Sequence, residues 1–190
     1  MPLSESKSRE QIHTRDIQCQ GFKREDGLYD IEGRLVDTKT YDFDNVDHGV
    51  IKSGQPIHHM LLRLTLDEEL RVHDIEVSTE SGPFNICADI APSFEKLKGL
   101  TIEAGWRRRV LERVGGVRGC THLTDMLLGP MAVTAFQTIA AARARRASAD
   151  SDGNPPRLID TCHALSSTGP VVKRDWPEFH VSESDEIKPD

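Results

Sequence analysis

His59-Met60-Leu61-Leu62-Arg63-Leu64-Thr65-Leu66 reads as a β-strand whose last part sets Leu62, Leu64 and Leu66 on one face by strict alternation. Asp67-Glu68-Glu69 turns the chain, and Leu70 to Val77 follows with Val72, Ile75 and Val77 apolar. His73-Asp74 breaks the alternation there, which predicts a β-bulge. This hairpin decides the fold class, because the segments on either side of it complement it. Upstream, Ile17, Cys19 and Gly21 alternate with polar residues, Asp26-Gly27 supplies a turn, and Leu28 to Leu35 continues as a second strand. A first hairpin is therefore expected between Ile12 and Tyr41. Asp42 to Gly54 is polar and contains glycine, and reads as a loop.

Downstream the period changes. Ile86, Ile90, Phe94 and Leu97 fall at near-helical spacing within Pro83 to Leu97, and Lys98-Gly99 terminates that segment. Ile102 to Arg113, carrying Trp106, Val110 and Leu111, predicts a second helix ended by Gly115-Gly116. Thr121 to Leu128 starts a third, which Gly129-Pro130 kinks or restarts, and Ala132 to Arg146 is alanine-rich and helical. The fold class is α+β: two hairpins form one antiparallel sheet of about four strands, packed on three to four helices. The organisation expected is a disordered lead over 1–11, an α+β domain over 12–146, and a Ser/Asp/Gly/Pro linker over 147–156. A C-terminal extension over 157–180 packs on the domain, and 181–190 is an acidic tail.

Bulk chemistry narrows the class of partner. The 190 residues carry a formal charge of −7 and a pI near 5.6, which argues against nucleic acid and against anionic membrane surfaces as partners. A mean hydropathy of −0.47 requires the core to be modest and concentrated. No apolar run approaches the roughly 20 residues of a membrane span, and residues 1–10 are polar without an apolar signal segment. A cytoplasmic location is the expectation. In that reducing setting Cys19, Cys87, Cys120 and Cys162 are read as thiols or ligands rather than disulfide partners. The expected partner is a small-molecule substrate, with a homodimer left open.

Three pieces look like chemistry: Gly54-Gln55-Pro56-Ile57-His58-His59-Met60, Cys87, and Gly119-Cys120-Thr121-His122-Leu123. Zinc takes thiolate and imidazole in a tetrahedron, and dispersed donors suit a catalytic ion better than a structural staple, which announces itself by Cys-x-x-Cys pairs. Cys120 falls where a helix begins, with Gly119 permitting a tight approach; Cys87 lies near another helix start. His122 and Asp125 are three apart on one helical face, so Asp125 is expected to orient His122. His58 and His59 point to opposite faces of a strand, so at most one of them belongs to a shared site. The plain alternative is that Cys87 and Cys120 are core residues. Arg107-Arg108-Arg109, Arg113 and Arg118 form a basic group that either receives an anionic substrate or is a solvated helix face. Asp30, Glu32 and Asp37 on the first hairpin are either acid/base groups or, as alternation with Leu28, Ile31 and Leu35 favours, exposed strand positions. Cys162-His163 either folds back over the site or simply packs. His13, His48 and His180 receive no role.

Two resemblances attach to these residues. Phe22 to Glu32, Asp37 to Tyr41, Gly54 to Met60, Leu100 to Gly105, Gly115 to Leu123 and Cys162-His163-Ala164-Leu165 together resemble a bacterial family of unknown function, DUF2889, over roughly residues 12–179. That family name implies no activity. More distantly, Pro56 to Ile139 is similar to the iron–sulfur scaffold proteins of the NifU/IscU type. Those place a Cys-Gly-Asp motif before a hairpin, a second Cys after it, a Gly-Lys turn, and a His-Cys-Ser-x-Leu motif opening an alanine-rich helix. Here His58 to Leu66, Cys87, Lys98-Gly99 and Cys120-Thr121-His122-Leu123 stand at those places. The likeness implies a NifU/IscU-like core and a clustering of His58, Cys87 and Cys120. The scaffold's first Cys falls at about Pro56, its Asp at His58 and its motif His at Gly119, which weakens cluster assembly and favours a single ion.

The function expected is a metal-dependent enzyme of lyase or hydrolase type acting on a small molecule, anionic if the arginine group receives it. Zn²⁺, or alternatively Fe²⁺, would be held by His58, Cys87 and Cys120, with His122 as fourth ligand or acid/base group. His122, Asp125 and Arg118 are the candidate catalytic residues. The alternatives are a non-enzymatic metal or iron–sulfur carrier, and a metal-free structural or thiol protein.

Overall fold

Alternation in the first hairpin and in the 59–77 hairpin produces one sheet. β1 (His13–Lys23), β2 (Tyr29–Lys39), β5 (Pro56–Leu66) and β6 (Val72–Ser81) run antiparallel in the order β1-β2-β5-β6. The structure is a computed structural model that describes residues 3–146, 155–156 and 159–182. It divides into two compact units between Arg146 and Ala147. Most of the expected linker 147–156 and of the acidic tail 181–190 lies outside the described residues.

One face of the sheet is apolar and covered. Tyr29, Ile31 and Leu35 on β2 stand opposite Leu66, Leu64 and Met60 on β5, all at most 1% exposed. Each such side chain contributes about 1.5–3 kcal/mol by leaving water. Two glycines let the helices settle close to this face. A Cβ on Gly33 would lie 2.6 Å from the Met131 sulfur, and one on Gly21 would lie 2.0 Å from Thr138 Oγ1. The opposite face stays polar, with Arg63 between Glu32 and Glu76 and Arg34 donating to His59.

The bulge expected at His73-Asp74 is present. Thr65 pairs with Asp74 and Leu66 with Val72, leaving His73 as the extra residue. A second bulge inserts Ile57 between the Asp37–His58 and Thr38–Pro56 pairs, and a third inserts Glu80. All these strands are longer than their apolar runs suggest, and the extra length forms the far end of the sheet.

Three elements differ from expectation. The stretch read as a loop contains a small ribbon, β3 (Phe43–Asn45) with β4 (Gly49–Ile51). Asn45 Oδ1 accepts from the amides of Asp47 and His48, and Gly49 takes φ +70°, so the turn closes within a polar sequence. The 83–97 segment is a 3-10 helix, Asn85–Leu97, rather than an α-helix. Pro92 removes an amide from its middle, and only Phe94 and Leu97 are buried, three apart as a threefold turn requires. The second helix starts late, at α1 (Trp106–Val114), because 100–102 instead bonds along the start of β6.

The third helix does not stop at Pro130. α2 (Thr121–Met126) passes through a π-helical turn, Leu127–Met131, into α3 (Ala132–Arg146). The wider turn accommodates the proline ring and its missing N–H without ending the helix. The second unit contains α4 (Pro170–Asp175) between two 3-10 turns, with Cys162 exposed. No helix of the described residues is long and apolar enough to cross a membrane.

Candidate functional site

The core face of β2 does not end in a hydrophobe. Tyr29, Ile31, Gly33 and Leu35 are followed at the same parity by Asp37, whose side chain is 1% exposed. Its Cα partner on β5 is His58, the residue that continues the Leu66, Leu64, Leu62, Met60 face. Its partner on β1 is Arg15. Three polar side chains thus form a transverse row at the end of an apolar sheet, beside the bulge at Ile57.

The start of α2 lies against this row. Gly119 precedes it in extended conformation, where a Cβ would sit 1.9 Å from the carbonyl oxygen of Val114, a backbone atom that cannot move aside. Cys120 caps the helix, with its carbonyl accepting from the Thr124 amide at 2.9 Å. His122, one residue inside the helix, then stacks on His58, ring centroids 3.8 Å apart at 34°.

Asp37 organises the group. Arg15 donates through Nε to Oδ1 and through Nη2 to Oδ2, both at 2.7 Å. His58 Nδ1 is 2.8 Å from Oδ2, His122 Nε2 is 4.0 Å from it, and His13 Nε2 is 3.6 Å from Oδ1. On its other side His122 Nδ1 is 3.8 Å from Cys120 Sγ, which also lies 4.0 Å from the Met60 sulfur. One ligand atom from each of Asp37, His58 and His122 falls within 4.8 Å of the others.

Charge is fixed by this packing. Burial alone would raise the Asp37 carboxyl, but Arg15 and then His58 outweigh it and hold the group below its ordinary range, so it is a carboxylate. Burial lowers the His58 imidazole more than its bond to Asp37 raises it. Burial also lowers His122, with the His58 and Arg15 charges acting in the same direction. Both rings are therefore neutral at neutral pH, the form in which an imidazole nitrogen donates to a metal.

Of the residues expected at the site, the structure brings together His58, Cys120 and His122. It does not bring Cys87, which lines a different cavity with Thr79 and Gly82. Asp125 makes no ion pair with His122 among the described residues. It is exposed and acts through space on Arg15 and His122, and Asp37 stands where an orienting carboxylate was expected. Arg118 turns back to donate to the Leu111 carbonyl, beside Arg107 and Arg108 on the surface of α1, and does not enter the site. His59 faces the other side of the sheet, with Arg34.

Asp37 and Arg15 are the two residues that sequence reasoning missed. Asp37 shares the odd-numbered parity of the buried Ile31 and Leu35, and that parity is the sequence signal for an inward carboxylate. Asp30 and Glu32 have the opposite parity, and they pair with Thr65 and Arg63.

Residues 13–137 match the model of a family described as a protein of unknown function, DUF2889. Arg15, Asp37, His58, Cys120 and His122 all lie within the matched segment. No curated protein and no solved structure matches the chain.

Proposed function

The chain belongs to the DUF2889 family, and we propose that it is a metal-dependent enzyme of lyase or hydrolase type acting on a small molecule. The observation that carries this reading is the convergence of Asp37, His58 and His122 ligand atoms within 4.8 Å. Two neutral imidazoles and one carboxylate suit Zn²⁺ or Fe²⁺, and three protein donors leave positions open for water or substrate. An ion held there would act as a Lewis acid or lower the pKa of a bound water.

The chain's own groups have separate tasks. Arg15 keeps Asp37 ionised and fixes its plane. Asp37 Oδ2 lies 2.8 Å from His58 Nδ1, so an ion bound by both would take the place of the proton between them. Cys120 stands next to His122, its Sγ 3.8 Å from Nδ1, without being needed to complete a three-donor set.

Elemental analysis of purified protein, wild type beside His58→Ala and His122→Ala, tests this. About one equivalent of zinc or iron in the wild type and a large loss in both variants is expected. Wild-type protein that neither carries nor takes up stoichiometric Zn²⁺ or Fe²⁺ overturns the reading.

A second reading has one observation in its favour. Cys120 Sγ, His122 and Asp37 line up at 3.8 and 4.0 Å, the order of a thiol, a base and an orienting carboxylate. In that metal-free case Cys120 alkylation slows markedly in His122→Ala and is indifferent to chelator. The scaffold likeness remains a proposal about the order of elements: hairpin, Cys87, Lys98-Gly99 turn, Cys120 at a helix start. A carrier of that type would need thiolates at the ion, and Cys87 lines another cavity.

A further inference from the structure

The end of β2 carries more chemistry than the candidate centre uses. Asp37-Thr38-Lys39-Thr40-Tyr41 sets a carboxylate, an ammonium and a phenol at every second position, and only the first belongs to the Asp37, His58 and His122 group. Lys39 is the last residue of β2 and the cross-strand partner of His13. Cross-strand partners share a face, and His13 Nε2 lies 3.6 Å from Asp37 Oδ1. Lys39 therefore stands on the face of the centre, two residues and about 7 Å along the strand from Asp37.

Packing holds this lysine without neutralising it. Its carbonyl accepts from the Gly54 amide at 2.9 Å. Its Nζ donates to Tyr41 Oη at 2.6 Å and lies 4.9 Å from the Tyr41 ring centroid and 5.3 Å from that of Phe43. Rings attract a cation but leave its charge in place. The acids nearest in sequence are engaged elsewhere, Asp37 with Arg15 at 2.7 Å and Asp42 with Lys52 at 2.8 Å. No carboxylate pairs with Lys39 among the described residues, although acidic side chains outnumber basic ones by 31 to 24.

The pair has the form of an oxyanion reader. Tyr41 Oη accepts from Lys39, so its own O–H is left to donate. An ammonium and a hydroxyl in contact present two donors side by side, as holding both oxygens of one carboxylate requires. Tyr41 is 44% exposed, so the pair opens to solvent and offers a ring edge beside it. One ammonium matches one negative charge, which favours a carboxylate over a phosphate dianion.

We infer that Lys39 and Tyr41 bind the carboxylate of a small organic acid, and that this acid is the substrate of the adjoining centre. The second half rests on the metal-enzyme reading; the first half does not. The Arg107 to Arg118 group, which the sequence offered for an anion, lies on the surface of α1 instead.

The test titrates full-length protein with phenylacetate, phenylacetamide and phenyl phosphate, followed by ¹H–¹⁵N NMR. Saturable phenylacetate binding is expected, about tenfold tighter than phenylacetamide. Lys39→Met should remove that preference, Lys39→Arg should restore part of it, and Tyr41→Phe should weaken phenylacetate about fivefold. The same spectra report whether each variant is folded. In Co²⁺-loaded protein, phenylacetate should shift the visible bands, with the half-effect concentration raised about tenfold in Lys39→Met. Azide, which reaches the ion directly, should respond less than twofold to that change.

Absence of saturable phenylacetate binding in the wild type overturns the inference, as does equal binding of the amide or indifference to Lys39→Met in folded protein. Phenyl phosphate binding more tightly than phenylacetate overturns the carboxylate class. Metal content is measured on the same samples. Stoichiometric metal whose Co²⁺ bands ignore bound phenylacetate separates the anion site from the centre and leaves the centre standing. Lys39-dependent binding without metal leaves the anion site and removes the centre.

Discussion

The Arg15 guanidinium holds Asp37 by two 2.7 Å hydrogen bonds across the β1–β2 ladder, although Asp37 is 1% exposed and Arg15 about one-third exposed. Arg15→Ala leaves a buried carboxylate with only His58 and the more distant His13 for compensation. We expect a loss of about 2 kcal/mol in the metal-free protein, below the 3–5 typical of a fully buried pair because water reaches the arginine. The Arg15→Ala/Asp37→Asn double variant should recover part of it, since the orphaned charge is gone. Urea unfolding midpoints in chelator of wild type, Arg15→Ala, Asp37→Asn and the double variant measure this, and strict additivity of the two single changes would contradict the pairing.

Acid should weaken the metal-free fold in two stages. His58 and His122 are lowered from an ordinary value near 6.5, so below that pH the unfolded chain binds protons that the folded chain resists. Their contribution is complete above about 6.5 and is lost as pH falls from there toward the lower folded values. Asp37 is lowered from 3.8, so its contribution is present above that value and lost as pH falls below it. Stability measured in chelator should therefore decline from about pH 6.5 downward, and His58→Ala/His122→Ala should flatten that first decline while leaving the second. A wild-type stability flat from about pH 7 to 5 is incompatible with two buried neutral imidazoles.

Much of this was legible in the sequence, and the limits have physical reasons. The hairpins, the His73 bulge and the helical second half follow from alternation and period, which depend on local residue order. His58 and His122 could be named because each lies at an element end. Their joining with Asp37 was hidden, because strand register is set by pairing between segments and not by either one alone. Cys87 shows the converse. A thiol near a helix start looked like a ligand, but the Glu80 bulge and the 3-10 form of Asn85–Leu97, which no local pattern announced, turn it toward Thr79 and Gly82.

Two glycines should separate stability from site geometry. Gly33→Ala places a Cβ 2.6 Å from the Met131 sulfur and 3.0 Å from that of Met126. Both are ends of flexible side chains, so repacking should limit the cost to about 1–2 kcal/mol with metal uptake retained. Gly119→Ala meets the Val114 carbonyl at 1.9 Å, which only a backbone shift relieves. That shift carries Cys120 and His122 with it. Gly119→Ala protein that remains folded should show weakened zinc binding, by at least tenfold in calorimetry if His122 is a ligand. Zinc affinity unchanged in folded Gly119→Ala would remove His122 from the donor set.

Cobalt substitution distinguishes an enzyme-like centre from a carrier. Co²⁺ bound by thiolate shows a near-ultraviolet charge-transfer band, whereas nitrogen and oxygen donors give only weak visible bands. Asp37, His58 and His122 form the compact group, and Cys120 approaches it through His122 alone, at 3.8 Å. The expected spectrum of the Co²⁺ protein therefore lacks the thiolate band and is the same in Cys120→Ser and in Cys87→Ser. Its visible bands should instead be sensitive to added azide, an anion that enters open coordination positions. A strong charge-transfer band lost in Cys120→Ser would mean a closed four-donor site, since thiolate then completes the tetrahedron that catalysis must leave open. That result would favour the carrier over the enzyme, because an ion with no open position neither activates water nor polarises a substrate.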